Sequence, residues 1–266
     1  MGAGVIGTGV GSGAALAGQA ALVTGAGSGL GQAAAAALAA AGARVAVTEL
    51  PGKETLAEET VAAIRAAGGE AVALPLDVRD LASVRECVAG AVAAFGRLDV
   101  LVNNAGLNVR QAAFDVTEEA WDTVLDVNLK GLFFMAQAAG RAMRDQQPQG
   151  GCIVNVASIM GLVGYKDRAA YCASKGGVVN LTRVLSFEWA PIGIRVNALC
   201  PTFVMTPMTA PLLTDPVAGG DLLARTPLGR FADPEDVANA VVWLASPGAR
   251  MVTGVALPVD GGWTAV

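Results

Sequence analysis

Tyr171 and Lys175 lie four residues apart, a spacing suited to moving a proton. If the segment is helical, residues at this spacing project from one face and their side chains meet. A phenol normally titrates near pH ~10, and a neighbouring ammonium lowers the phenol pKa. We therefore expect Tyr171 to serve as a general acid or base close to neutral pH, the task that histidine performs in many enzymes.

The composition excludes many other mechanisms, because the 266 residues contain no histidine. Ser-His-Asp triads, Cys-His pairs and histidine-ligated metals are therefore impossible within this chain, and we predict no metal site. The net charge of −5, from 18 Lys+Arg and 23 Asp+Glu, argues against a nucleic-acid surface. Acid–base chemistry must come from Tyr, Lys, Cys, Asp or Glu.

The chain shows no pattern typical of export or of a membrane span. Its four cysteines fit no disulfide or zinc spacing, which favours buried thiols in a reducing compartment, and we expect a cytoplasmic protein. Residues 1–43 carry no charge, yet they lack the basic start of a signal peptide. We expect residues 1–18 to be a flexible Gly-rich segment, with a targeting role as the alternative, and no membrane contact.

A glycine-rich stretch, Gly25–Gly31, follows an apolar run and precedes an Ala-rich helical segment. That order is required of a phosphate-binding turn, where glycine lets the backbone approach a pyrophosphate at a helix N-terminus. Glu49 follows at about the 20-residue spacing of the acid that accepts the ribose hydroxyls of NAD. Its carboxylate would repel the 2′-phosphate of NADP, although Lys53 is a nearby cation.

Short, nearly continuous apolar runs alternate with longer amphipathic segments, as expected for parallel strands covered on both faces. We predict strands at Ala20–Val23, Arg44–Thr48, Ala71–Leu76, Asp99–Val102, Cys152–Val156, Ile194–Leu199 and Val255–Val259, and helices at Gly31–Ala41, Lys53–Ala67, Leu81–Phe95, Glu118–Arg144 and Tyr171–Ala190. The predicted fold class is α/β: one Rossmann-type, doubly wound parallel sheet of about seven strands within residues 19–266. The Pro-rich segment 202–230 is expected to form a lid over the site.

Several motifs together resemble the short-chain dehydrogenase/reductase family. Thr24, Gly25, Gly29 and Gly31 match T-G-x-x-x-G-x-G, Asn103–Gly106 matches N-N-A-G, and Tyr171–Lys175 matches Y-x-x-x-K. The sequence is identified as a member of that family over residues 20–263. Within the family it is similar to gluconate 5-dehydrogenases and 2-deoxygluconate 3-dehydrogenases.

The resemblance implies a role for each matching residue. The catalytic residues would be Asn128, Ser158, Tyr171 and Lys175. Ser158 would orient the substrate oxygen, and Asn128 would support a water that leads protons away from Lys175. The cofactor would contact Gly25, Ser28, Gly29, Leu30, Glu49, Asp77, Val78, Asn104, Ala105, Gly106, Tyr171, Lys175, Pro201, Thr202, Val204 and Thr206. Thr202 replaces the family's usual glycine, and it cannot take a positive φ cheaply.

We therefore predict hydride transfer between NAD, or less favourably NADP, and a secondary alcohol or ketone, with a sugar acid or polyol as the preferred substrate. Arg110 would meet a substrate carboxylate, alongside Ser158 and Tyr171, unless it is a solvated loop cation. The alternatives are a reductase of 3-oxoacyl thioesters or steroid-like ketones and, more distantly, a non-catalytic dinucleotide sensor. The resemblance also implies a homotetramer.

Overall fold

The framework is a sheet of seven parallel strands in the order β3-β2-β1-β4-β5-β6-β7. The computed structural model describes residues 15–206 and 209–265. The predicted fold class is confirmed, and the strands lie close to their predicted bounds. They are β1 Ala20–Val23, β2 Arg44–Glu49, β3 Glu70–Pro75, β4 Val100–Asn103, β5 Gly151–Val156, β6 Ile194–Pro201 and β7 Ala256–Val259.

Helices cover both faces of this sheet. They are α1 Gly29–Ala40, α2 Glu54–Ala66, α3 Leu81–Phe95, α4 Glu118–Leu125, α5 Leu132–Asp145, α6 Ala169–Trp189, α7 Ala210–Leu213, α8 Ala218–Ala224 and α9 Pro234–Ala245. Because successive strand residues point to opposite faces, Ala21 and Val23 pack with α1, α2 and α9. Ala20 and Leu22 pack with α3, α5 and α6. Because helices cover both faces of the sheet, successive residues of its central strands are buried, and the sequence of these strands is a nearly continuous apolar run.

The order of the strands reverses beside β1. The chain moves outward from β1 to β3 and then returns to place β4 against the other edge of β1. In open parallel sheets, ligands bind outside the carboxyl ends of the strands at such a switch point. The glycine-rich stretch follows β1 and the Asn-Asn-Ala-Gly stretch follows β4, so the topology brings both to this crevice.

The single long helix predicted at Glu118–Arg144 is interrupted, which corrects that prediction. Between α4 and α5, residues Asp126–Gly131 form a π-helical turn around Asn128. Wide turns of this kind occur often at functional sites. Asn128 is fully buried and directed at the loop after β4, so the turn places a polar side chain at the crevice.

Helix α9 was absent from the sequence prediction although its start signal is present. Asp233 and Asp236 form a reciprocal capping box, and Pro234 occupies the first turn, where its missing N–H is harmless. Val237, Val241 and the neighbouring apolar residues of α9 pack against α1. The helix therefore completes the layer that supports the glycine-rich turn.

The packed domain begins earlier than residue 19. Leu16 is fully buried, and its N–H donates to the carbonyl of Ala41 at 2.9 Å. Residues 1–14 of the predicted flexible segment lie outside the described residues. Leu16 is therefore part of the core beside α1, and the flexibility predicted for the residues before it stays a prediction.

The segment predicted as a lid contains two short helices rather than a strand. Val204 forms an isolated parallel bridge with Ala232, and α7 and α8 follow it. Phe203, Leu213 and Leu222 pack with Trp263 from the end of the chain. Residues 207 and 208 lie outside the described part. The segment is thus anchored at both ends against the apolar residues beside the crevice.

None of the helices in the described ranges combines the length and apolar character needed to span a bilayer. Within the same ranges, no group of three or more cysteine, aspartate or glutamate side chains is placed to hold a metal ion.

Candidate active site

Glycine is required at several points of the turn between β1 and α1. Gly25 and Gly29 have φ values of +61° and +57°, the left-handed region that glycine enters without strain. A Cβ on Gly31 would overlap the carbonyl oxygen of Gly25 and lie 2.5 Å from Nδ2 of Asn104. The turn is therefore closed so tightly that side chains are excluded from it.

The N-terminus of α1 is open to an anion. Ser28 is the N-cap residue with an extended backbone, but its side chain makes no capping hydrogen bond, and the first turn carries no acidic residue. The first amides of a helix need acceptors, and the helix dipole favours negative charge there. Leu30 turns inward and packs against the core. The turn thus fits the pyrophosphate of a dinucleotide.

Glu49 lies beside this turn, as predicted from its spacing. It ends β2, its Oε1 accepts the N–H of Leu50 at 3.0 Å, and its Oε2 lies 2.8 Å from where a Cβ on Gly27 would stand. A side chain at Gly27 would therefore displace the carboxylate. Lys53 is exposed and forms no ion pair among the described residues. The geometry leaves Glu49 free to face a ribose.

Hydrogen bonds hold the loop after β4 against the glycine-rich turn. The Thr24 hydroxyl accepts the N–H groups of Asn104 and Ala105 at 2.9 and 2.8 Å. In return, Nδ2 of Asn104 donates to the carbonyls of Thr24 and Gly25 at 2.9 and 3.0 Å. Sequence reasoning used Thr24 only as part of a motif and missed this role. Its hydroxyl fixes the distance between the two loops.

Asp77 and Val78 lie after β3, on the other side of the turn. Two guanidinium N–H groups of Arg79 bond the carboxylate of Asp77 at 3.0 and 2.7 Å. This pairing lowers the pKa of Asp77. Val78 is buried against Gly131 in the π-helical turn. The family resemblance assigns Asp77 and Val78 to the adenine ring of the cofactor, and Asp77 would then share its carboxylate with Arg79.

Lys175 is buried in the floor of the crevice. Its Nζ donates to the carbonyl of Val156 at 2.7 Å and lies 5.7 Å from the ring centroid of Tyr171. The same ammonium is 3.6 Å from where a Cβ on Gly106 would stand. Burial lowers the pKa of Lys175 to about 8. Because Gly106 has no side chain, the space beside it stays open, and that space is next to the Lys175 ammonium.

The structure changes the expectation for the phenol. Burial raises the pKa of Tyr171, while the neighbouring Ser158 hydroxyl and the charge of Arg168 act in the opposite direction. The predicted lowering of the phenol pKa by Lys175 is not found, and the Lys175 ammonium donates to the Val156 carbonyl instead. The positive field that reaches the phenol comes instead from Arg168, which sequence reasoning missed.

Ser158 is positioned by a cap. It has an extended backbone before a turn of 3₁₀ helix, and its Oγ accepts the N–H of Met160 at 3.1 Å. Capping uses an acceptor lone pair of the hydroxyl and leaves its O–H free to donate. Ser158 can therefore cap this turn and contact a substrate oxygen at the same time.

Asn128 is occupied with protein contacts. Its Oδ1 accepts the N–H of Leu107 at 2.8 Å, and its Nδ2 donates to the Leu107 carbonyl at 2.8 Å and to Ser174 Oγ at 3.2 Å. The Ser174 hydroxyl bonds the carbonyl of Tyr171. Asn128 therefore links the loop after β4 to the helix of the Tyr–Lys pair, and its contact with a water stays a prediction.

The residues after β6 border the same crevice. Pro201 pairs with Val259 at the end of the sheet, and Thr202 donates its N–H to the Val259 carbonyl. Among the described non-glycine residues only Asp167 has a positive φ, so threonine is accommodated here without strain. The Thr202 hydroxyl is buried without a described partner. Thr206 lies near Gly29, where a Cβ would stand 3.9 Å from its methyl group.

The burial of Lys175 predicts a pH dependence of stability. Between pH 8 and its ordinary value of 10.5, the unfolded chain binds this proton and the folded protein does not. The free energy of unfolding then rises with pH, by up to about 1.4 kcal/mol per pH unit from this group. We expect Lys175→Met to remove that contribution in urea unfolding measured at pH 8.5–10. The exposed Lys53→Met is the matched control, and equal slopes for wild type and Lys175→Met would contradict the prediction.

Comparisons with known proteins agree with this geometry. A family model described as enoyl-(acyl carrier protein) reductase matches residues 25–264. The chain is 42% identical to D-threitol dehydrogenase of Mycolicibacterium smegmatis, over 94% of each protein. It is 39% identical to 2-dehydro-3-deoxy-D-gluconate 5-dehydrogenase of Escherichia coli, over 78% of this chain and 81% of that one.

A solved structure of a similar protein supports the same family. It is a candidate 2-deoxy-D-gluconate 3-dehydrogenase of Agrobacterium tumefaciens with bound NADP, 41% identical, with a TM-score of 0.86 over 94% of this chain and 98% of that one. Matches of this extent include both loops of the crevice and the helix of the Tyr–Lys pair. The chain belongs to the short-chain dehydrogenase/reductase family.

Proposed function

We propose that this protein is an NAD-dependent dehydrogenase that interconverts a secondary alcohol and its ketone, with a sugar acid or polyol as substrate. The reaction class follows from the family and from relatives that act on threitol and on a dehydrodeoxygluconate. The observation that carries the proposal is that Ser158, Tyr171 and Lys175 meet beside an anion-binding glycine turn. A sensor that only binds a dinucleotide has no need of this cluster.

The residues divide the work of the reaction. A bound nicotinamide supplies or accepts the hydride. Ser158 donates its free O–H to the substrate oxygen and orients it, and the Tyr171 phenol exchanges the proton with that oxygen. The charge of Arg168 favours the phenolate, and the Val156 carbonyl holds Lys175 beside the ring of Tyr171. Asn128 fixes the helix of the Tyr–Lys pair against the loop after β4.

Removal of the Tyr171 hydroxyl tests the mechanism. We expect Tyr171→Phe to lower kcat by about 100-fold or more, the usual contribution of a positioned acid–base group, while NADH fluorescence still reports binding. Rates are measured on gluconate, deoxygluconate, threitol and an apolar secondary alcohol, each with NAD and NADP. Tyr165→Phe, at the other tyrosine of the chain, is the control. Substantial residual turnover by Tyr171→Phe would refute the assigned role.

The choice of cofactor is assigned to Glu49. Its carboxylate stands beside the glycine turn, where it favours the ribose hydroxyls of NAD and repels a 2′-phosphate. Because the solved structure of a similar protein contains bound NADP, the preference of this protein for NAD or NADP has to be measured directly. We expect Glu49→Gln to lower the NAD-to-NADP ratio of kcat/KM at least about tenfold, and the exposed Glu58→Gln to leave it unchanged. A wild-type preference for NADP would overturn the assignment.

We also propose that the chain forms a homotetramer. Apolar side chains stand exposed on α4 and α6: Trp121 is 40%, Val184 45% and Phe187 85% accessible. Large exposed apolar groups on neighbouring helices favour burial between subunits. We expect light scattering to give about four times the chain mass of 26.6 kDa, whereas a monomeric mass would refute the assembly.

Two further expectations stay proposals. The segment 202–230 would act as a lid, because it is anchored beside the crevice through Val204 and Phe203. Hydrogen exchange with and without NADH tests this, since a lid gains protection.

All four cysteines are free, which favours the reducing cytoplasm, and cell fractionation tests that location.

A further inference from the structure

A buried arginine next to Tyr171 has no acidic partner among the described residues. Arg168 is only 6% accessible and takes part in none of the ion pairs that the structure describes. Its guanidinium stacks over the ring of Tyr165 at 5.0 Å and makes one long hydrogen bond, 3.5 Å, to the carbonyl of Lys166. A guanidinium has five N–H donors, and burying a charge without a partner is unfavourable. The arrangement leaves donors for an anion.

A second arginine is held beside the first. Arg110 precedes Gln111, whose N–H bonds the carbonyl of Asp167 at 3.1 Å and whose strand bridge pairs it with Arg168. Burial, together with the charge of Arg110, lowers the pKa of Arg168. Neither arginine forms an ion pair with a carboxylate of the described residues. The bridge at Gln111 therefore brings the segments of the two arginines together, and their like charges repel one another.

The two cations lie at the reacting end of the crevice. Arg168 occupies the N-cap position of α6, three residues before Tyr171. The charge of Arg168 acts on the Tyr171 phenol. The cap position makes no side-chain hydrogen bond, so the helix dipole adds to the positive field. An anion bound here would lie beside the atom that exchanges the proton.

We propose that Arg168 and Arg110 together bind a carboxylate of the substrate. The planar guanidinium fork matches a carboxylate through paired hydrogen bonds, and the bound anion supplies the countercharge that the buried arginine lacks. This inference rests on the proposed dehydrogenase function and narrows it. The preferred substrate is a hydroxy acid or oxo acid, and a neutral polyol of the same length is the poorer one.

Kinetics on matched substrates tests the subsite. The ratio of kcat/KM for gluconate to that for glucitol compares a carboxylate with a hydroxymethyl group on similar chains. We expect Arg168→Gln to lower this ratio about tenfold or more, mainly through the KM for gluconate, since hydrogen bonds to charged groups are the stronger class. Arg110→Ala should raise the KM for the acid but not for the alcohol. Arg168→Lys, which keeps the charge, should recover part of the loss.

Lys166→Gln is the matched control, because it removes an exposed positive charge two residues away. We expect it to leave the substrate ratio unchanged. An equal effect of Arg168→Gln and Lys166→Gln would show that only the general field matters, which would overturn the subsite. Retained NADH binding shows that each variant is folded.

A measurement that needs no turnover separates the subsite from the proposed function. Malonate should raise the melting temperature of the wild-type protein and of Lys166→Gln, but not that of Arg168→Gln. Equal stabilisation of all three proteins would overturn the subsite whatever the activity. If the wild type oxidises no alcohol with either nucleotide, the proposed function fails, and the malonate result alone decides whether the two arginines bind a carboxylate.

Discussion

The site depends on one hydrogen-bonded junction across the reversal of the strand order. The Thr24 hydroxyl and the Asn104 side chain bond the backbone on each other's loops, so the glycine turn and the loop after β4 move as one unit. Most buried polar groups in proteins are satisfied in this way. Asn128 then bonds that loop at Leu107, and Ser174 bonds Asn128. The acid–base helix is thereby placed relative to the cofactor turn by a series of hydrogen bonds from polar side chains.

A second polar chain keeps the centre of the sheet in register below this junction. Nδ2 of Asn103 donates to Oδ1 of Asn155 at 2.9 Å, and Nδ2 of Asn155 donates to the Thr182 hydroxyl at 3.0 Å. All three side chains are buried. Because a lost partner would leave a buried group unsatisfied, β4 and β5 are fixed to α6 at Thr182, about two helical turns beyond Lys175.

Much of the architecture could be predicted from the sequence, because parallel strands buried on both faces leave continuous apolar runs and the turns between them carry glycines. The glycine turn and the placement of Glu49 beside it also follow from spacing. What spacing could not predict are effects of packing. The pKa of Tyr171 is raised because neighbouring segments bury the phenol. The surroundings of Arg168 depend on its backbone bridge to Gln111, which lies more than fifty positions earlier in the chain.

The π-helical turn at Asp126–Gly131 has a consequence for how this chain tolerates change in length. Each residue of a regular helix rotates its successor by about 100°, and a π-helical turn takes up about one more residue than a regular turn. Met135, Ala139 and Met143 of α5 are fully buried against the sheet, and the wide turn lets them face it although the chain carries that extra residue upstream. A one-residue deletion that made the turn a regular helix would therefore leave the apolar face of α5 on the sheet while it moved Asn128 away from Leu107. The irregular turn thus makes the placement of Asn128 sensitive to chain length at a point where the packing of α5 tolerates the loss of one residue.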